Sequence, residues 1–261
     1  MLIGYFGDRA TQCFRVYHPP TGVAARSAAV VLCNPAPQEY RQCHYLYRQL
    51  ALRLADAGLH VLRFDYRGTG DSAGDTRDAT LADWVTDIAE AATELRELSE
   101  VKEVGLVGIR LGAALAARAV AGGLSVRDLV LWDPVVHGAP YLAQLRDVHD
   151  RIRLDQPYPI SDAPTRDDLL GATLTDGQAE ATMTLDLRHE PLGMPGRVWT
   201  VVAEADERAN ALTARYAAQG VTTRYDVVPD ATLVRPLWHE DTLLARRIPA
   251  TIVGYLSGSL R

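Results

Sequence analysis

The sequence predicts an α/β protein whose mostly parallel sheet is covered by helices on both faces. Three observations carry the prediction. Short, uninterrupted apolar runs at residues 28–33, 61–66 and 129–135 have the pattern of strands buried on both sides. Segments with helical apolar spacing separate these runs, the alternation expected of parallel strands joined by crossover helices. Over residues 104–116, an apolar run enters Gly108-Ile109-Arg110-Leu111-Gly112 and a small-residue helix follows at once.

In chain order, residues 11–18 alternate and end at Pro19-Pro20-Thr21-Gly22, which reads as an edge strand and turn paired with residues 2–6. After the buried strand 28–33, Asn34-Pro35-Ala36-Pro37 breaks regular structure. Leu46, Leu50, Leu54 and Ala57 then keep helical spacing over residues 43–57, and Gly58 closes the helix. Strand 61–66 runs into Arg67-Gly68-Thr69-Gly70-Asp71-Ser72-Ala73-Gly74. This string looks like a dinucleotide fingerprint but lies too far before the next helix to seat a pyrophosphate there. Thr80 and Asp83 form a capping-box start, and Leu81, Trp84, Val85, Ile88, Ala92 and Leu95 trace one helix face.

Strand 104–107, turn 108–112 and a helix to about Val120 come next, with Gly112, Ala113, Ala114, Ala116 and Ala117 small enough for close packing on a sheet. Strands at 129–135, 198–203 and 223–228 follow. A helix over 208–219 separates the last two, and a final helix starts near Pro249 and ends around Ser257-Gly258. The alternation lapses between Gly138 and Pro195, where helix-like pieces occur at 141–150 and 166–170. The expected organisation is therefore a core over 1–137 and 196–261 with a lid or cap insertion at 138–195 that shapes a substrate pocket.

Composition narrows the function classes. With 27 basic against 33 acidic residues the formal charge is −6, and no basic run stands out, which argues against nucleic acid and anionic membrane as partners. No apolar segment reaches the ~18 residues needed to span a bilayer, and the first residues lack a signal-peptide pattern. Cytoplasmic residence is the expectation. Cys13, Cys33 and Cys43 are odd in number and without C-x-x-C spacing, which fits reduced thiols. The seven histidines show no metal-binding pairing, so neither a metal nor a cofactor is implied.

The 108–112 turn is the outline of a nucleophile elbow, G-x-S-x-G between strand and helix, with Arg110 in the serine position. Together with Phe64-Asp65-Tyr66-Arg67-Gly68-Thr69-Gly70-Asp71-Ser72-Ala73-Gly74 and Leu129-Val130-Leu131-Trp132-Asp133-Pro134, it resembles the α/β-hydrolase superfamily. The nearest group is the serine-aminopeptidase-like or exosortase-associated hydrolases. The resemblance implies an α/β-hydrolase fold over most of the chain. It places the acid at Asp206, with Glu204 as close competitor, the histidine at His239, and oxyanion donors at the backbone of Leu111 and of the 34–38 loop, Asn34 and Ala36 included.

Arg110 removes the ordinary chemistry of that family. A guanidinium can neither lose its proton at working pH nor attack carbon, so acyl-enzyme formation at this position is excluded. Ser72 and Cys33, at the carboxyl ends of neighbouring strands, are candidate substitutes, with Ser72 also a candidate substrate contact; neither sits on an elbow. Arg110 stands instead at a helix N-terminus, where its planar fork suits a carboxylate, phosphate or enolate.

Two functions follow. One is a noncanonical enzyme, hydrolase or lyase, in which Arg110 binds a small anionic or acyl-bearing metabolite, such as an intermediate of specialised metabolism. His239, oriented by Asp206, acts there as general base for elimination, isomerisation or water attack. The other is a catalytically dead pseudo-hydrolase that binds a ligand or protein partner, keeping the lid and Arg110 while Asp206 and His239 are out of register; separately, Arg110 could fold back onto an acid such as Asp133 or Asp206 and stabilise a dead site.

Overall fold

The computed structural model describes residues 1–22, 24–154, 167–230 and 245–258. The order of elements is β1 (Leu2–Phe6), β2 (Cys13–His18), β3 (Ala29–Cys33), α1 (Pro37–Asp56), β4 (His60–Phe64), α2 (Leu81–Ser99), β5 (Val104–Ile109), α3 (Leu111–Ala121) and β6 (Asp128–Trp132). There follow α4 (Gly138–Leu154), β7 (Asp168–Leu169), β8 (Ala172–Thr173), α5 (Asp176–Met183), β9 (Arg197–Val202), α6 (Glu207–Ala218), β10 (Thr222–Val227) and α7 (Arg247–Leu256).

Among the described residues the main sheet has the order β1-β2-β4-β3-β5-β6-β9-β10. β2 pairs antiparallel with β1 and with β4, and from β4 to β10 every pairing is parallel. This is the α/β-hydrolase arrangement. β1 and not β2 forms the edge, because β4 takes the second side of β2. The period-2 alternation of the central strands divides the apolar residues between two cores. Val31, Leu106 and Leu131 face the layer built by α2, α3 and α6. Val30, Leu32, Val107 and Trp132 face the layer built by α1 and α7.

The capping box predicted at Thr80 and Asp83 is present, with Thr80 Oγ1 accepting from the Asp83 amide at 3.1 Å. Three local expectations need correction. α1 starts at Pro37, six residues before the apolar repeat becomes legible, because proline is well suited to the first position of a helix. The strand expected over 129–135 stops at Trp132, where Asp133 takes a positive φ of 40° and turns the chain out of the sheet. Of the helical piece expected at 166–170, Asp168–Leu169 is a short strand paired with Ala172–Thr173.

Between β6 and β9 the chain forms α4, the β7–β8 pair and α5. A second capping box, Thr175 with Gln178, starts α5, and the Gln178 amide donates to the Thr76 and Ala79 carbonyls at 2.7 and 2.8 Å. The Gln38 amide donates to the Thr173 carbonyl at 3.1 Å. This segment is thereby fastened both to the start of α1 and to the loop before α2.

Candidate functional site

The turn between β5 and α3 is fixed by its glycines. A Cβ on Gly112 would overlap the carbonyl oxygens of Cys33 and Asn34, and one on Gly108 would overlap the Ala113 backbone. Because neither position carries a side chain, α3 can begin flush against the ends of β3 and β5. Between them Arg110 has φ 54° and ψ −123°, a strained conformation for a residue with a Cβ. Backbone hydrogen bonds hold it there: its amide donates to Trp132 O at 3.0 Å, and its carbonyl accepts from Ala113 N at 3.1 Å and Val135 N at 3.2 Å. The turn expected over 108–112 is thus present, with the Arg110 side chain at its apex.

That guanidinium meets α1 and α4. Arg110 Nε donates to Glu39 Oε1 at 3.0 Å, and Nη2 donates to Gln144 Oε1 at 3.1 Å. Glu39 Oε2 accepts from the Tyr141 hydroxyl at 2.6 Å, and the Tyr141 ring lies under the guanidinium with 5.2 Å between Cζ and the ring centre. Burial alone would lower the Arg110 pKa. The charge of Glu39, with smaller help from Tyr141 and Asp133, outweighs it and carries the group above its ordinary value. Tyr141 is held neutral, pushed well up by burial and then by Glu39. Among the described residues Arg110 Nη1 has no hydrogen-bond partner.

Arg110 lines a cleft of about 300 Å³ together with His137, Pro140, Gln144, Asp206 and Arg208, at the low end of small-molecule sites. Asp206 is the N-cap of α6, and its Oδ1 accepts from the amides of Arg208 at 2.7 Å and Ala209 at 3.1 Å. The sequence-predicted acid and the elbow side chain therefore face one cavity. Glu204 is exposed and is not part of this lining. Asp133 Oδ1 accepts from Ala203 N at 2.9 Å; burial raises its carboxyl, and that amide and Arg110 offset only part of the rise. His239 lies outside the described residues. The acid that Arg110 pairs with is Glu39, not Asp133 or Asp206.

Other predicted positions divide into two groups. Leu111 is the first residue of α3, where an N–H has no partner within the helix, and the close approach of Gly112 to the Asn34 carbonyl brings it beside the 34–38 loop. Asn34 is fixed by its side-chain amide donating to Phe64 O at 2.6 Å, and Ala36 is the N-cap of α1. Ser72 serves its own loop. Its hydroxyl donates to Asp65 O at 2.6 Å and accepts from Phe14 N at 2.8 Å, tying the glycine-rich segment to β2 and β4. The Cys33 thiol is fully buried and pushed up by that burial, as suits packing and not nucleophilic attack.

Sequence reasoning missed Glu39, Tyr141, Gln144 and His137. A weak signal existed for Glu39: an acid in the first turn of a helix that follows the oxyanion-type loop. The residue stands 71 positions from Arg110, and nothing in local spacing joins them.

Known proteins share this fold. A family model described as serine aminopeptidase, S33, matches residues 27–162. Comparison with curated proteins gives no match. Among solved structures, the chain is similar to Est1E from Butyrivibrio proteoclasticus bound to ferulic acid, at 16% identity and a TM-score of 0.63 over 98% of this chain and 97% of that one. It is similar to XC6422 from Xanthomonas campestris, a serine hydrolase without lid, at 16% identity and a TM-score of 0.58 over 98% and 92% of the two chains. It is also similar to α/β-hydrolase domain-containing protein 10 from mouse, at 15% identity and a TM-score of 0.53 over 99% and 98%.

Proposed function

The chain belongs to the serine aminopeptidase (S33) family of α/β-hydrolases, and from that premise we propose that it acts on a small anionic or acyl-bearing metabolite without forming an acyl-enzyme. The observation that supports this reading is the division of labour at Arg110. Two of its nitrogens are held by Glu39 and Gln144, which fixes the guanidinium plane, while Nη1 is left without a partner among the described residues at the wall of a cleft. A positioned cation of this kind stabilises negative charge that is present in a substrate or develops during reaction. In the proposed mechanism Arg110 holds the anion, the Leu111 amide and the 34–38 loop add donors, and His239 oriented by Asp206 moves the proton. Elimination, isomerisation or direct attack by water are the reaction types open to such a set, and a base of this type contributes ~10²–10⁴-fold.

A second reading, a ligand-binding pseudo-hydrolase, is favoured by one feature: Glu39 already neutralises Arg110, so the site is complete without a substrate. Turnover separates the two. A panel of small acyl-bearing and carboxylate metabolites is assayed for turnover and for binding with the wild type, His239→Ala, Asp206→Asn and Arg110→Met. Turnover by the wild type that falls at least about a hundredfold in His239→Ala supports the enzyme. Binding that depends on Arg110, with no turnover in any variant, supports the pseudo-hydrolase.

A further inference from the structure

A second cleft of about 370 Å³ lies on the other side of the first turn of α1, and the chemistry proposed at Arg110 makes no use of it. α1 covers β3 and β4 but leaves the outer face of β2 only partly covered. In the register of the sheet Val16 stands beside Arg63, and the Asp65 amide donates to the Phe14 carbonyl at 3.0 Å. Phe14, Val16, Arg63 and Asp65 thus share one face, the period-2 consequence of extended chain, and Tyr40 and His44 of α1 close the cleft above them.

Its polar groups are unevenly satisfied. Arg63 is half-buried and forms no ion pair among the described residues; its Nε donates to His18 Nε2 at 3.3 Å, and its two Nη groups have no partner there. Asn34 is 6% exposed, and its Oδ1 is without a partner among the described residues because its amide is turned to Phe64 O. Asp65 accepts from the Tyr40 hydroxyl at 2.6 Å and the Asp71 amide at 3.1 Å, which leaves capacity on a carboxylate with about four lone-pair sites. Asp71 is exposed at the rim. An unpaired, partly desolvated guanidinium is costly unless an anion meets it.

We propose that this cleft is a binding site for a small zwitterion, an α-amino acid with an apolar side chain. Its carboxylate is taken by Arg63, its ammonium by Asp65, Asn34 Oδ1 and Asp71, and its side chain by Phe14 and Val16. A bare carboxylate fits less well, because it would face the charge of Asp65, and a bare amine would face Arg63. The ammonium and carboxylate share one α-carbon and fit between two opposite charges on strand positions two apart, a spacing of roughly 6–7 Å. The site does not depend on the chemistry assigned to Arg110.

Calorimetric titration of the full chain with L-phenylalanine, its methyl ester and hydrocinnamate tests the assignment. Phenylalanine is expected to bind with one site, and the ester and the amine-free acid about 10–100-fold more weakly, the loss of a charge-assisted contact each. Arg63→Met should remove binding, and Arg63→Lys should weaken it while keeping the fold, as followed by circular dichroism. Asp71→Asn should weaken phenylalanine more than hydrocinnamate, and Arg110→Met should leave phenylalanine binding unchanged. Absence of phenylalanine binding, equal affinity for all three compounds, an unchanged affinity in a folded Arg63→Lys, or loss in Arg110→Met would each overturn the proposal.

Discussion

Glu39 and Arg110 are joined across two elements, the carboxylate on the first turn of α1 and the guanidinium on the elbow, with 3.0 Å between Oε1 and Nε. The carboxylate side chain is 4% exposed and the guanidinium side chain 14%, so solvent screens the pair little. Tyr141 takes the second carboxylate oxygen. Removing the acid alone leaves a cation without its counter-ion.

Glu39→Gln keeps the volume and the contact with Tyr141 but deletes the charge. The expected result is a loss of about 1–3 kcal/mol, below the full cost of a stranded buried ion because Arg110 retains access to the cleft. Thermal unfolding should read this as a fall of several degrees. The double variant Glu39→Gln with Arg110→Met should recover part of it, since the stranded charge is gone.

Arg110 predicts a negative result with activity-based probes. A fluorophosphonate should fail to label the wild type, because the Ser72 hydroxyl is engaged by the Asp65 carbonyl and the Phe14 amide and Arg110 has no nucleophilic oxygen. Covalent labelling mapped by mass spectrometry to any serine or cysteine would show that the nucleophile had been relocated.

Gly112→Ala is expected to be far more harmful than an alanine in a helix normally is. The new Cβ collides with the Cys33 and Asn34 carbonyls, which are backbone atoms at the end of a central strand and have no room to give. A loss of about 2 kcal/mol or more, or insoluble expression, is the expected outcome, whereas Gly123→Ala at the surface, where the added Cβ touches nothing, should lose only the smaller cost of its positive φ.

His18 gives the protein a pH dependence with a defined sign. Burial first, then Arg63 and other nearby cations, lower its pKa from 6.5 to about 4 in the fold. The unfolded chain therefore takes up the proton first as pH falls. Stability is fully present above about pH 6.5, declines between 6.5 and 4, and has no further contribution from this group below that. The loss should amount to about 1–3 kcal/mol after allowance for partial solvation. Melting temperatures measured at about pH 7.5 and about pH 4.5 should differ less in His18→Gln than in the wild type.

Local signals carried most of the frame. Thr80 and Asp83 announced the start of α2, and the unbroken apolar runs announced the central strands, because capping and burial leave marks within a few residues. The tight turn between β5 and α3 is legible through Gly108 and Gly112, the two positions where a Cβ would collide with backbone. The start of α1 was hidden, since Pro35 and Pro37 signal a break and a helix start with the same letters. β7, β8 and α5 were not legible: each is short, and α5 has a single capping box and little apolar periodicity to mark it. At the candidate site, the frame locates Arg110 on the turn between β5 and α3 and Asp206 at the start of α6. It does not locate Glu39, Tyr141 and Gln144, because their meeting with Arg110 depends on how α1 and α4 pack and on no spacing along the chain.

One turn of α1 carries Glu39 toward the elbow and Tyr40 toward Asp65, so adjacent residues serve opposite walls. The helix begins at a proline with no side-chain cap, and its start is held by these flanking contacts and by Gln38. A displacement of that turn by a fraction of an ångström would lengthen one set of contacts as it shortened the other. The two cavities are thus divided by a single helical turn, and a change to that turn, such as one that removes its proline start, is expected to disturb both walls at once.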